Sequence, residues 1–117
     1  MGAFKLIKVK EEKKSEGPER EFKIIHLGNG DIYHGEVLNG LPDGRGNFLK
    51  ANGSRYEGEW SKGKKDGYGI STLSNGNKYE GGYKSNRKHG KGEFESPSIG
   101  ITYVGVWRNG KLHGKAK

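Results

Sequence analysis

Two stretches of the chain come within one residue of a loop that cradles nucleotide phosphates. "GVWRNGKL", from Gly105 to Leu112, and "GEWSKGKK", from Gly58 to Lys65, both spell G-x-x-x-x-G-K. Nucleotide chemistry also needs a hydroxyl next in line to hold magnesium, and a helix whose N-terminal amides face the phosphate. Leu112 and Lys65 stand where the hydroxyl belongs, and nothing downstream has helical period. Both matches are by-products of a repeated frame. The histidines, His26, His34, His89 and His113, lack metal-ligand spacing, and His89 and His113 fall in the same slot as Asp43 and Asp66, before a glycine. A short polar side chain there reads as a turn residue bonded to local backbone. Glu57, Glu59, Glu80, Glu93 and Glu95 read as solvated strand residues, with no acid and base pair among them. Cysteine is absent, which removes thiolate metal sites, disulfides and cysteine nucleophiles and fits a reduced, cytoplasmic setting. The expectation is no catalytic residue, no metal and no cofactor, hence no enzyme within this chain.

The basic side chains are the stronger chemical signal. The formal charge is +8, of which residues 31–117 carry +6. Lys62, Lys64 and Lys65 cluster once, Arg87, Lys88 and Lys91 again one period later, and Arg108 and Lys111 after that. If successive units stack in register, these groups form a cationic stripe along one edge. Such a stripe suits acidic lipid head groups or an acidic protein surface, each Lys or Arg contributing on the order of 1 kcal/mol near an anionic leaflet. The alternative is a solvated edge that stops a thin sheet from pairing with its neighbours.

What positions these groups is a repeat. Tyrosines at Tyr33, Tyr56, Tyr79 and Tyr103 stand 23, 23 and 24 residues apart. The glycine pairs Gly44/Gly46, Gly67/Gly69 and Gly90/Gly92, then Gly114 with Ala116, keep step, as do Gly30, Gly53, Gly76 and Gly100. Three landmarks at one period mark stacked supersecondary units. Tyr56, Gly58 and Trp60 share one parity while Glu57 and Glu59 share the other, which is the pattern of a half-buried strand. The G-x-G pair opens a second strand after a six-residue loop, "SKGKKD", Asn52-Gly53 and Asn75-Gly76 predict tight turns with both central residues at positive φ, and Asn29-Gly30 predicts the turn into the first unit. Each unit is thus a hairpin. Glycine beside the ring-bearing strand leaves room for a ring to lie flat, and each ring buries on the order of 150–250 Å². The fold class is all-β, a single-layer antiparallel meander of successive β-hairpins.

The unit "YEGEWSKGKKDGYGISTLSNGNK" resembles a MORN (membrane occupation and recognition nexus) repeat. The resemblance covers residues 31–117, with units starting near 33, 56, 79 and 103 and the last one truncated. It implies an elongated, twisted array that binds rather than catalyses, in cytoskeletal or cell-cortex scaffolds, in membrane-junction proteins, or beside kinase or methyltransferase domains. Relatives of this kind often dimerise and have been linked to phosphoinositides. Val37 departs from the pattern in the second aromatic slot and Asn86 replaces a loop glycine. One residue is inserted around "SPSIG", and the last unit stops at Lys117 before its second strand is complete. Either the natural chain continues, or a partner covers that end.

The remaining segments divide into a charged stretch, residues 1–21, and a leading strand with its turn, residues 22–30. "FKLIKVK" is either a partner-binding or membrane-facing tail or another edge strand. Gly2 suggests a myristoylation site, but Leu6 stands where Ser or Thr is needed. No stretch reaches the roughly 20 apolar residues of a membrane helix, and the Asn52-Gly53-Ser54 sequon falls in a turn of a chain with no secretion signal. The function expected is a protein-protein scaffold at the cytoskeleton or cell cortex, as a homodimer or with another protein, through Tyr33, Tyr56, Trp60, Tyr79, Tyr83, Tyr103 and Trp107. The competing function is peripheral binding of an anionic membrane surface through Lys62, Lys64, Lys65, Arg87, Lys88, Lys91, Arg108 and Lys111. Nucleic acid is not expected as a partner, because most rings face glycine inside the array.

Overall fold

The structure, a computed structural model, describes residues 19–115, with side chains as far as His113. Gly2, the "FKLIKVK" stretch, most of the charged segment 1–21 and Ala116 lie outside the described residues. Nine strands form one antiparallel sheet in which every neighbour in sequence is a neighbour in space. They are β1 (Glu21–His26), β2 (Ile32–Leu38), β3 (Leu41–Leu49), β4 (Arg55–Ser61), β5 (Lys64–Thr72), β6 (Lys78–Lys84), β7 (Arg87–Ser96), β8 (Ile101–Arg108) and β9 (Lys111–Lys115). The molecule measures 62 × 34 × 25 Å, the outline of an elongated single layer. Among the described residues there is no helix long and apolar enough to cross a membrane.

The even-numbered strands from β2 carry the rings, and β3, β5 and β7 carry the G-x-G pairs. Gly58 of β4 lies opposite Gly69 of β5 on one side and Gly46 of β3 on the other. The Tyr56 ring occupies the space over Gly69: a Cβ there would meet Cε1, Cζ and the hydroxyl oxygen of Tyr56 inside 3.0 Å, closer than real Cβ atoms come. Gly46 stands in the same relation to Tyr33 and Gly92 to Tyr79. The first glycine of each pair does something different. Gly44, Gly67 and Gly90 have φ of +103°, +108° and +84°, and each lies where the second strand bulges against its hairpin partner. Such a bulge frees backbone groups from the ladder. The Tyr33 hydroxyl donates to the carbonyl of Glu36 at 2.7 Å, Tyr56 to that of Glu59 at 2.9 Å and Tyr79 to that of Gly82 at 2.9 Å. The carboxylates of Glu36 and Glu59 accept the amides of Arg45 and Tyr68, both at 2.7 Å.

The two ends of the hairpins are the reverse of the sequence expectation. "SKGKKD" is not a six-residue loop: β4 and β5 are joined by Lys62-Gly63 alone, at φ +51° and +84°. Asn39-Gly40, Ser85-Asn86 and Asn109-Gly110 repeat this geometry, in which both central residues at positive φ follow the twist of the strands. Asn52 and Asn75 are not at positive φ. Their side chains instead accept the amides of Ser54 and Asn77, at 2.8 and 3.0 Å, inside longer connections where only the following glycine takes positive φ. The Gly53 amide closes on the Lys50 carbonyl at 2.9 Å, and Gly76 on Leu73 likewise. A turn followed by such a glycine is the usual three-residue loop.

Both ends are stapled from one unit to the next. Asp43 accepts the Lys62 amide at 2.9 Å and Asp66 the Ser85 amide at 3.3 Å, so this slot bonds the following unit's turn rather than its own backbone. At the other end Asp31 accepts the Ala51 amide at 2.9 Å, Ser54 accepts that of Ser74 at 3.1 Å, and Ser96 donates to Asn77 at 2.8 Å.

The ring-over-glycine packing is directly testable. Gly69→Ala forces its methyl into the Tyr56 ring and is expected to cost about 1–3 kcal/mol. Gly28→Ala, where nothing lies within 4 Å, stays within about 0.5 kcal/mol. Urea unfolding of the two variants measures both.

Candidate functional site

The face of the sheet that carries the rings is built by periodicity. Tyr33, Tyr56 and Tyr79 are 2%, 2% and 1% exposed, and Val37, Trp60, Tyr83 and Trp107 are also buried. The rings meet edge to face in an unbroken series. Tyr33 contacts Trp60 of the next unit at 5.4 Å, Trp60 contacts Tyr56 at 5.1 Å, and Tyr56 contacts Tyr83 at 5.1 Å. Tyr83 contacts Tyr79 at 5.3 Å and Tyr79 contacts Trp107 at 5.2 Å. Edge-to-face geometry sets positive ring edges against negative ring faces. Burial pushes the Tyr33 and Tyr79 phenols up to about 12, aided at Tyr33 by the Glu36 and Asp43 carboxylates and at Tyr79 by Tyr83. Tyr56 and Tyr83 are raised for the same leading reason. Six of the seven aromatic candidates therefore form this series, and Tyr103, 44% exposed, stands outside it.

Above the rings lie two adjoining hollows of one groove. One part, ≈ 420 Å³, is apolar, with Ile25, Leu27, Leu41, Pro42, Phe48 and Trp60 among its walls. The other, ≈ 290 Å³, is lined by Tyr79, Tyr83 and Phe94 together with Lys65, Lys88 and Arg87. Lys65 and Asn86 border both. Lys65 lies opposite Trp60 in the register and Lys88 opposite Tyr83, so both share the ring face. The Lys65 ammonium stands 5.2 Å from the centre of the Tyr56 ring and 5.7 Å from that of Tyr83, and Lys88 stands 5.3 Å from that of Tyr79. These are cation-π distances. Burial, reinforced by the charges of Lys50 and Lys88, draws the Lys65 ammonium below the ordinary lysine range.

The other basic candidates are distributed differently. Lys62 is a turn residue, Lys64, Arg87 and Lys111 begin strands, Arg108 ends one, and all five are exposed at the edge of the tight turns. Lys91 lies between Gly90 and Gly92 on the opposite face and is also exposed. The eight therefore divide between an edge, a groove floor and a far face. The far face is mixed in charge, with Arg45 against Glu59 at 3.8 Å and Arg55 against Glu57 at 3.9 Å. Asp43, 8% exposed, is held below the usual carboxylate range by the Lys62 amide and then by Arg20, whose guanidinium lies 2.8 Å away. Among the described residues no group of three His, Cys, Asp or Glu side chains gathers to hold a metal ion.

Phe48, Phe94, Leu41 and Pro42 are groove residues that the repeat analysis passed over. Phe48 and Phe94 follow the second glycine of their pairs by two, so parity alone marks them as ring-facing. Pro42, Lys65, Lys88 and Leu112 share one slot, two residues before the first glycine, and comparing that slot down the units separates Lys65 and Lys88 from the other cations.

The family model described as MORN repeat matches residues 33–55, 56–78, 79–98 and 103–117. Comparison with curated proteins returned no match.

Two titrations check the electrostatics of this face. The buried phenols keep their protons while the unfolded chain ionises near 10, so this contribution to stability is complete below pH 10 and declines as the pH rises toward 12. Urea midpoints and tyrosinate absorbance are expected to change together over that interval. Lys88→Met removes one of the charges facing Lys65, so the Lys65 titration, read by NMR at its Cε, is expected to move up toward the ordinary lysine range.

Proposed function

The chain belongs to the MORN-repeat family, and from that premise we propose that it is a non-catalytic scaffold module that seats a protein partner along its ring face. Repeats of this family generally bind proteins or membrane lipids, and the family is a repeat-type binding module not known for catalysis. The observation that carries the protein reading is the groove. It sets ≈ 420 Å³ of largely apolar wall beside a cationic stretch, on a sheet whose rings are fixed by packing from unit to unit. An apolar, preformed and concave surface suits a protein segment, because little ordering remains to be done on binding. The buried rings act as the fixed floor, and Leu41, Phe48 and Phe94 above them meet the partner. We place the module in the cytoplasm, at the cytoskeleton or cell cortex, with a homodimer as one form of the assembly. Nucleic acid is disfavoured, since the ring faces that would stack bases are packed against glycine and one another.

A second reading has its own support. Lys62, Lys64, Arg87, Arg108 and Lys111 are exposed along one edge, and an edge of this kind reaches a flat anionic surface without obstruction. Proteins of the family are often membrane-associated. Under this reading the edge is held to anionic phospholipid, phosphoinositide included, by charge alone and is released by salt.

Light scattering at two salt concentrations, with and without liposomes containing anionic lipid, separates the two. The scaffold reading predicts a mass that is indifferent to salt and to liposomes. Co-sedimentation with liposomes at low salt, lost on replacing Lys62, Lys64 and Arg87, would replace it with the membrane reading.

A further inference from the structure

The ring-face groove carries charge that its own residues leave unanswered. Arg20 pairs with Asp43, Lys23 with Glu21, Arg45 with Glu59 and Arg55 with Glu57, and neither Lys65 nor Lys88 takes part in these pairs. Both lysines are part-buried over tyrosine rings, and the charges acting on Lys65 are those of two further cations, Lys50 and Lys88. In the same slot the first and fourth units hold Pro42 and Leu112, so this slot carries charge in the second and third units alone. The tyrosine faces offset part of the cost of holding each ammonium in the groove, and an anion meeting the two lysines offsets the like charge beside them.

We propose that Lys65 and Lys88 are the acid-accepting subsite of the groove, and that its occupant is a segment of a partner protein carrying carboxylates beside aliphatic side chains. The proposal rests on the protein-binding reading and specifies the chemistry of the partner. Aliphatic side chains fill the part walled by Leu27, Leu41, Pro42 and Phe48, and carboxylates reach the two ammonium groups in the adjoining part. Lys65 and Lys88 occupy equivalent places one unit apart, which is two strand spacings or about 9.5 Å. Two acidic residues match that distance at a spacing of three in a polyproline II segment, which rises about 3.1 Å per residue. On a helix, rising about 1.5 Å per residue with about 3.6 residues per turn, the spacing that comes near this distance and keeps both acids on one face is seven. A bilayer surface fits this subsite poorly, because the ammonium groups lie along the floor of a groove while the projecting cations, Lys62 and Lys64, stand at the edge.

The test is selection from a random 16-residue peptide library displayed on phage, against the immobilised full chain. The proposal expects enrichment of peptides that combine Asp or Glu with aliphatic residues. Binding of a selected peptide should weaken about tenfold when its acids are changed to Gln, the scale of a lost charge-assisted contact. Lys65→Met with Lys88→Met, which keeps the apolar stems, should give the same loss, with circular dichroism and the urea midpoint reporting on its fold. The Gln-substituted peptide decides the matter on the unaltered protein if that variant does not fold. Apolar peptides selected without acids, or acidic ones that bind the Gln form equally, overturn the subsite and leave the protein-binding reading standing. A library that yields no binder, whether or not vesicles of phosphatidylcholine with phosphatidylinositol bisphosphate are bound, overturns both.

Discussion

A tyrosine ring lying across a glycine of the neighbouring strand is the contact on which this protein depends. The chain has too little apolar sequence for a second layer, at 29%, so the sheet must bury its rings against its own backbone. That is possible only where the Cβ is missing. Gly46, Gly69 and Gly92 supply the space, and the hydroxyl of the ring then reaches the carbonyl that the adjacent bulge has released. One residue type thus provides burial and repairs the backbone beside it. Because each such ring also touches the second aromatic of the following unit, the contact spreads along the array.

The sequence is most informative where a residue type has one physical use. Ring, glycine and ring at alternate positions specify a strand with one buried face, and the 23-residue frame specifies how many times it recurs. Turns are less legible. Asn-Gly is the strongest hairpin signal in the chain, yet Asn52-Gly53 and Asn75-Gly76 lie in longer loops because Asn52 and Asn75 bond the second amide downstream. The true two-residue turn at Lys62-Gly63 has no such signature; its positive φ at lysine is supported from 19 residues away by Asp43. A bond from the preceding unit cannot be read from local composition.

The candidate site was legible in its parts and not in its arrangement. Lys65 and Lys64 are adjacent lysines in one cluster, yet one lies over a tyrosine ring and the other is exposed at an edge. The difference is set by strand parity, and parity cannot be assigned while Ser61 to Asp66 is read as a loop. Once the turn is shortened to two residues, Lys65 falls opposite Trp60 and its placement follows. Phe48 and Phe94 were obscured for another reason, since the second unit places Ser71 at the corresponding position and breaks the pattern.

If ring-over-glycine contacts join the units into one object, the array opens as a whole. Hydrogen exchange resolved amide by amide tests this most directly. The account predicts one shared opening free energy for the ladder amides of β2 to β8, with faster exchange only in β1, β9 and the turns. Protection that falls in separate steps from one hairpin to the next would show independent units and contradict it.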